Sequence, residues 1–471
     1  MKKFNSIHFD ELISTFEMSP DQQRALQVFE HFVNSSKQRK TFVLSGYAGS
    51  GKSSVTAIFN SGMKKCGYQT RLLAPTGRAA KVLAQYCNQK AQTIHKEIYF
   101  GGNQLEGNSK LTVVKNNHKD TLFFVDEASM IASGQGIEDD LLIDLFAYVY
   151  NGMNCSLVLI GDSGQLPPVG QENSPALHLE QLKFNFPEIE IFSFHLKESF
   201  RTQKSSSILK NATFIRSKDG FIPPFICSLD ENTLSIKGHE VQESLEHSIQ
   251  TKGIDNVVVL TLSNKQANDW NLGIRSRIFF REERMESGES LLVIKNNYYW
   301  INRETTLGFL ANGEIIRVDK IIKEESLYGF EFMTVNISFP LYADEPFREV
   351  ILLLDTLLIE SSSLGRERMK ALFYEVEKDY AHINNKQKRY SEVLNNPYFN
   401  AIHVKYGNAL TVHKAQGGQW SDVYIDGSFI PEKMKETSYL RWLYTAVTRS
   451  KEQLYLVNFP DVFFDKQIEM M

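Results

Sequence analysis

Short apolar runs recur along the chain, each ending in a glycine or a polar loop, and most lead into a segment with helical spacing. "TFVLSG" (41–46) is the first, and "SSVTAIFNSGMKKCG" after it returns its apolar residues at helical intervals before closing on lysines and a glycine. "TRLLAPTGRAAKVLAQY", "TLFFVDEAS" and "SLVLIGDSGQLPPVG" repeat the arrangement. Serial strand–loop–helix units predict a parallel sheet whose loops gather at the carboxyl ends of its strands.

A second series starts near residue 257 with "VVVLTLSNKQANDWNLGIR" and resumes after 400 with "ALTVHKAQGGQWSDVYID", "SYLRWLYTAVTRS" and "EQLYLVNF". Between its halves, "NGEIIRVDKII" and "YGFEFMTVNISFPL" alternate with period two, as strands do, and "RERMKALFYEVEKDYAHINNKQKRYSEVL" reads as one basic helix. The pattern is that of a second α/β unit interrupted by an inserted domain. No repeat of solenoid period and no low-complexity linker separates the parts.

The loop after the first strand carries the first chemistry. Gly46, Gly49, Gly51, Lys52 and Ser53 satisfy G-x-x-x-x-G-K-[ST]. Its glycines let backbone N–H groups approach phosphate, its lysine reaches the β and γ phosphates, and its hydroxyl ligates Mg²⁺. Such a loop serves kinases, GTPases, transporter ATPases and motors alike. In "FFVDEAS", Asp126 can hold the Mg²⁺ shell and Glu127 can orient or deprotonate water, which favours hydrolysis over simple binding. Gln165, in "GDSGQLPPVG", stands at a neighbouring strand end, where an amide could sense the γ-phosphate or the water.

Composition narrows the picture less. A chain of 471 residues predicts two to four domains. No stretch nears the ~20 apolar residues of a membrane span, and "MKKFNSIHFDELISTF" has no apolar core of a signal peptide. The four cysteines, Cys66, Cys87, Cys155 and Cys227, form no C-x-x-C pair, as suits a reducing compartment. A soluble cytoplasmic protein is the expectation. The formal charge of -4 offers no general attraction to nucleic acid, which leaves the placement of basic residues to decide.

Taken in order, "MSPDQQRAL", "GYAGSGKSS", "LAPTGRAAKVL", "TIHK", "VDEASM", "GDSGQLPPVG", "FRT", "LTVHKAQG" and "LYTAVTRSKE" resemble the successive motifs of superfamily 1B helicases of the RecD/Dda-like, Pif-related branch, over residues 18–451. The resemblance implies an ATP-dependent DNA helicase that works as a monomer on single-stranded and forked DNA, moves 5′ to 3′, and uses ATP with Mg²⁺. It implies two RecA-like parallel-sheet P-loop domains with an inserted hairpin and an inserted SH3-like barrel. Their expected extents are 1–220 with a hairpin at about 96–119, then 221–290 plus 401–471, with 291–400 for the barrel and basic helix. "FLANGEIIRV" resembles the start of that barrel, and the basic helix after 366 would brace it or follow DNA.

The same resemblance places residues. Gln22 would read adenine, with Gln23 its near neighbour, while Gly49, Ser50, Gly51, Lys52, Ser53 and Ser54 would cradle the phosphates. Ser53 and Asp126 would hold Mg²⁺. Arg201 in "FRT" and Arg449 in "AVTRS" would be arginine fingers. Pro75, Thr76, Thr93, His95, Thr411 and His413, and more weakly Asn264, would touch the strand, and Gln416 with Gly417 would couple it to the γ-phosphate. Ala415 stands where the family often has serine, and Gly418 follows the pair. Related helicases carry a strand-separating pin in this hairpin, where Tyr99 or Phe100 either stacks on the splitting base pair or packs into the core. Competing readings are an ATP-switched remodelling protein without processive unwinding, and a nuclease–helicase component, for which no two-metal carboxylate cluster is visible.

Overall fold

The computed structural model describes residues 18–100, 112–134, 140–197, 206–218, 220, 222–301, 307–342, 345–429 and 436–465, the side chains of Phe100, Glu436 and Thr437 excepted. The first strands are β1 (Lys40–Gly46), β2 (Gln69–Ala74), β3 (Ala91–Thr93), the short antiparallel pair β4 (Tyr99–Phe100) and β5 (Thr112–Val113), then β6 (Thr121–Val125), β7 (Ser156–Gly161) and β8 (Glu190–Leu196). All but the short pair form one parallel sheet in the order β3-β2-β6-β7-β1-β8.

These strands read as nearly unbroken apolar runs because both faces are covered. Val43, Leu73, Phe123 and Leu157 enter the core on one side, and Phe42, Leu44, Phe124 and Val158 enter the core on the other. Leu44 pairs with Ile160 and Val125 with Leu159, so the loops after β1, β6 and β7 leave from one edge. That edge carries the phosphate loop and both polar loops.

A second parallel sheet is built from β9 (Thr233–Ile236), β10 (Val257–Thr261) and three later strands, β16 (Ala409–Thr411), β17 (Trp420–Asp426) and β18 (Ser450–Val457), in the order β16-β10-β17-β18-β9. Helix Ser207–Arg216, although it precedes the expected boundary at 220, packs here: Ile208, Ala212 and Ile215 share a core with Trp442, Leu443 and Leu456. Leu166, from the first unit, enters the same core.

Between β10 and β16 lies a closed barrel of β11 (Ser290–Val293), β12 (Ile315–Leu327), β13 (Phe330–Ser338), β14 (Arg348–Leu353) and β15 (Ile402–Tyr406). Its closing strand runs past residue 400, where Leu291 pairs with Tyr406. The basic segment forms two helices, Arg366–Asp379 and Lys386–Leu394, because Asn385 accepts the Lys388 N–H and starts the second afresh. Leu372, Val376 and Val393 pack them on the barrel residues Phe330, Phe332, Ile351 and Leu353, as a brace would.

The barrel is fixed to the second sheet by buried polar groups. Glu289 takes Arg275 at 2.7 Å and Arg281 at 2.8 Å, and Asn271 bonds the Tyr406 and Ala409 carbonyls at 3.2 and 2.9 Å. An uncompensated charge buried here would be costly, so these contacts hold the barrel as a rigid extension of that sheet. Among the described residues, no helix is long and apolar enough to cross a membrane.

Candidate nucleotide site and strand-facing seam

The loop between β1 and helix Lys52–Lys65 turns through Gly51, whose φ of 83° lies in the left-handed region. A Cβ there would also overlap Gln22 Nε2, so glycine is needed twice over. Gln22 is buried against the loop and accepts the Ser19 N–H at 3.1 Å, whereas Gln23 is exposed. Of the two glutamines, Gln22 is the one that faces the phosphate loop. Gly49 also adopts a positive φ; Ser53 is half-buried and Ser54 exposed at the start of the helix.

Lys52 Nζ donates to the Gly46 and Tyr47 carbonyls at 2.8 and 2.9 Å. Ser50 Oγ is buried and has no hydrogen-bond partner, an orphan hydroxyl within the cradle. Asp126 follows β6, accepts the Glu127 N–H at 2.9 Å, and has its carboxyl pushed upward by burial and by Glu127, against that hydrogen bond and the Lys52 charge. Glu127 takes a left-handed φ of 52°, a strained conformation for a residue with a Cβ. A glycine-turned loop, an orphan hydroxyl and a cation facing an acid pair suit a Mg²⁺ triphosphate.

Across the same edge, Gln165 is buried with Oε1 unpartnered, and its loop is held by the second sheet. Leu166 N donates to Thr445 Oγ1 at 2.9 Å, and Gln416 Nε2 donates to the Leu166 carbonyl at 2.7 Å. Tyr444, on the second-sheet helix Glu436–Val447, accepts the Ala48 N–H at 2.8 Å and donates to Asp162 Oδ2 at 2.6 Å. The Arg216 guanidinium carbon lies 3.2 Å from the Tyr47 ring centroid. Neither Tyr444 nor Arg216 was singled out from sequence: an aromatic in an apolar helix reads as core, and an arginine at a helix end reads as a C-cap.

Arg449 is buried and bonds within its own unit, to the Thr445 carbonyl at 3.0 Å, Thr448 Oγ1 at 3.2 Å and the Gly418 carbonyl at 3.3 Å. Arg201 lies outside the described residues, as does the stretch joining β4 to β5. The Phe100 backbone pairs with Thr112. Tyr99 is a correction: it is 2% exposed and donates to Asp144 Oδ2 at 2.7 Å, so it is packed in the core rather than offered to a base pair.

The expected strand-contacting residues converge on two neighbouring cavities. One, of about 350 Å³, joins Pro75, Thr76, His95, His413 and Gln416 to barrel residues Phe309 and Asn312. The other, of about 420 Å³, holds Asn264, Thr411, Lys405 and Lys414, and shares His413 with the first. Thr93 lines neither cavity; it is buried and caps helix Ile94–Ile98 through a 3.2 Å bond from Lys96 N. Thr76 likewise caps its helix through Ala79 N at 3.2 Å, and a hydroxyl that accepts there still has a proton to donate. Gly417 stands beside Thr76 and Met130.

Burial lowers His95 to about 4 and lowers His413 too, the latter helped by Lys414, so both imidazoles are neutral at neutral pH. Burial, and repulsion from Lys414, bring Lys405 down to about 8. Three lysines, Lys265, Lys405 and Lys414, beside a single lining carboxylate, Glu360, make a cavity that favours an anion. Tyr298 stacks on the buried Phe309 at 4.8 Å, and the pair stiffens the barrel wall of the first cavity. The lysines and this aromatic pair were missed because no local spacing marks them.

Residues 17–217 match the sequence profile described as an AAA domain, and residues 406–457 match that of the UvrD-like helicase C-terminal domain. An uncharacterized protein of Acanthamoeba polyphaga mimivirus is 22% identical over 506 residues, covering 92% of this chain and 98% of that protein. The ATP-dependent RecD2 DNA helicase of Deinococcus radiodurans is 33% identical over 143 residues, which is 30% of this chain and 18% of that protein. An uncharacterized protein of Methanocaldococcus jannaschii is 22% identical over 484 residues, 92% of this chain but 38% of its own length. Among solved structures, Bacteroides Pif1 helicase in complex with ADP-AlF3 and ssDNA aligns at 14% identity and TM-score 0.48, over 96% of this chain and 94% of that one.

Proposed function

From its AAA and UvrD-like helicase C-terminal matches and its ordered motifs, we propose that the chain is a superfamily 1B helicase of the RecD/Pif-related branch that hydrolyses ATP at the seam between its two sheets and uses the cycle to move along single-stranded DNA. Movement is 5′ to 3′, separating duplex ahead of the protein. Gln22 reads the adenine; Gly49, Ser50, Gly51, Lys52, Ser53 and Ser54 hold the phosphates. Ser53 and Asp126 are the residues that would hold Mg²⁺, which when bound neutralises phosphate charge. Glu127 orients the attacking water and takes its proton, and Gln165 senses the γ-phosphate. Arg201 and Arg449 supply charge to the transferring phosphoryl group; for Arg449 this requires exchanging its present carbonyl partners for phosphate.

Gln416 is the observation that carries this reading. Its side chain lines the strand-facing cavity and also donates to the Leu166 carbonyl, next to Gln165. One residue therefore joins that cavity to the loop carrying Gln165, so a shift at either end is passed to the other. Neutral hydroxyl, imidazole and amide groups along the cavities, with Lys405 and Lys414, suit a phosphate backbone read without regard to sequence.

Forked duplexes with a 5′ tail, a 3′ tail or no tail, given ATP and Mg²⁺, test the proposal. Displacement only with the 5′ tail is expected. Displacement from the 3′ tail reverses the polarity, and turnover with no displacement favours an ATP-switched binding protein.

A further inference from the structure

Tyr444 joins the two units at the phosphate loop itself. Its oxygen accepts the Ala48 N–H at 2.8 Å and donates to Asp162 Oδ2 at 2.6 Å, while Asp162 Oδ1 accepts the Gly164 N–H at 2.9 Å. Burial of the ring and the charge of Asp162 hold the phenol proton far more tightly than usual, which fixes the direction of the relay from amide to phenol to carboxylate. Gly164 leaves the space the ring fills, since a Cβ there would lie 3.2 Å from Tyr444 Cε1. Ala48 packs against the second-sheet core. One residue earlier, Tyr47 carries the Arg216 guanidinium on its ring and offers its carbonyl to Lys52. Two consecutive residues of the loop are thus gripped from the second unit.

We propose that Tyr444 is a positioning residue for ATP hydrolysis, its hydroxyl locking Ala48 and Asp162 in one register only while the two sheets are closed. This rests on the nucleotide-driven reading above. Opening the seam removes the partner of the Ala48 amide and of the Asp162 carboxylate together, which loosens the loop that carries Lys52 and the loop that carries Gln165. Closure restores both at once, so turnover is confined to the closed state.

Tyr444→Phe keeps the ring and deletes the hydroxyl. Single-strand-stimulated ATPase should lose about tenfold or more in kcat, with KM for ATP changed by less than about twofold and strand affinity without nucleotide unaltered. The variant also leaves the buried Asp162 carboxylate without its phenol, so Tyr444→Phe combined with Asp162→Asn separates structure from positioning. The double variant should recover the thermal midpoint while kcat stays low. Recovery of kcat together with the midpoint, or full kcat in the single variant, overturns the proposal. Wild-type protein with no strand-stimulated turnover would instead contradict the helicase reading, and that result appears before any variant is made.

Discussion

The guanidinium carbon of Arg78 lies 4.2 Å from the ring centroid of Trp420, so a cation on the first sheet's helix Gly77–Cys87 rests on an aromatic at the start of a second-sheet strand. Gly418 makes room for the stack: a Cβ there would come 2.6 Å from Trp420 Cη2 and 2.9 Å from Arg78 Cδ. The glycine that departs from the commoner motif wording is required by this close approach. Arg78 also lines the cavity of Pro75, Thr76, His95 and His413, so if the strand binds there as proposed, the stack ties that binding to the relation between the sheets.

Arg78→Ala should destabilise the joined state by about 2 kcal/mol, the scale of a desolvated cation–π contact. Its sharper signature is lost coupling, with ATPase that no longer rises when single-stranded DNA is added. Undiminished stimulation by DNA would remove Arg78 from the coupling path.

Glu127 is held in a strained backbone conformation beside Asp126, at the strand end that faces Lys52. Glu127→Gln should lower turnover by about 10²- to 10⁴-fold, the range for loss of an oriented base, while nucleotide and strand binding persist. A quench-flow or coupled ATPase assay beside an equilibrium binding titration checks both halves, and a variant with full ATPase would take Glu127 out of its role.

Lys405 and Lys414 share a cavity with one carboxylate, and burial brings both below the ordinary lysine range. Each should contact backbone phosphate. Replacing either with Ala should weaken single-strand binding similarly for all sequences and reduce the steepness of the log-log salt dependence by about 0.7. An unchanged slope in both variants would mean the strand runs elsewhere.

Glu314 enters the first unit from the barrel, where a Cβ on Gly77 would overlap its carboxylate, and Oε1 has no hydrogen-bond partner. Burial pushes it from 4.5 up to about 7, with Arg78 and Lys81 pulling the other way. Between those values the folded chain retains a proton the unfolded chain has released, so this group's contribution to stability falls as pH rises through that interval and is level above it. Glu314→Gln cannot ionise. Measured by denaturant unfolding at about pH 5 and about pH 8, the variant should gain on the wild type at the higher pH, by at most about 3 kcal/mol. A stability difference that is the same at both pH values would contradict the assignment.

What could be read from the sequence was local. The phosphate loop and the Asp126–Glu127 pair are short segments whose chemistry follows from their place between a strand and a loop, and both parallel sheets followed from repeated strand–helix units. The barrel's closing strand was harder to see, because Ile402–Tyr406 pairs with Leu291–Val293 across two intervening helices. Tyr99 could not be distinguished from a base-stacking aromatic until its bond to Asp144 was visible. Tyr444, Arg216 and Arg78 act across the seam, where neither spacing nor residue type reveals a partner hundreds of positions away. Thr93, expected to meet DNA, is buried and caps a helix, a local packing role that the motif alone does not show.

Central to this account is that nucleotide and strand are bound to one mechanical pair of sheets. Titration of a labelled single strand, with and without a non-hydrolysable ATP analogue and Mg²⁺, measures this directly. The account predicts affinities that differ by about 5- to 150-fold, and a matching change in analogue affinity when the strand is added, as linkage demands. Identical strand affinities in the presence and absence of bound analogue would contradict it.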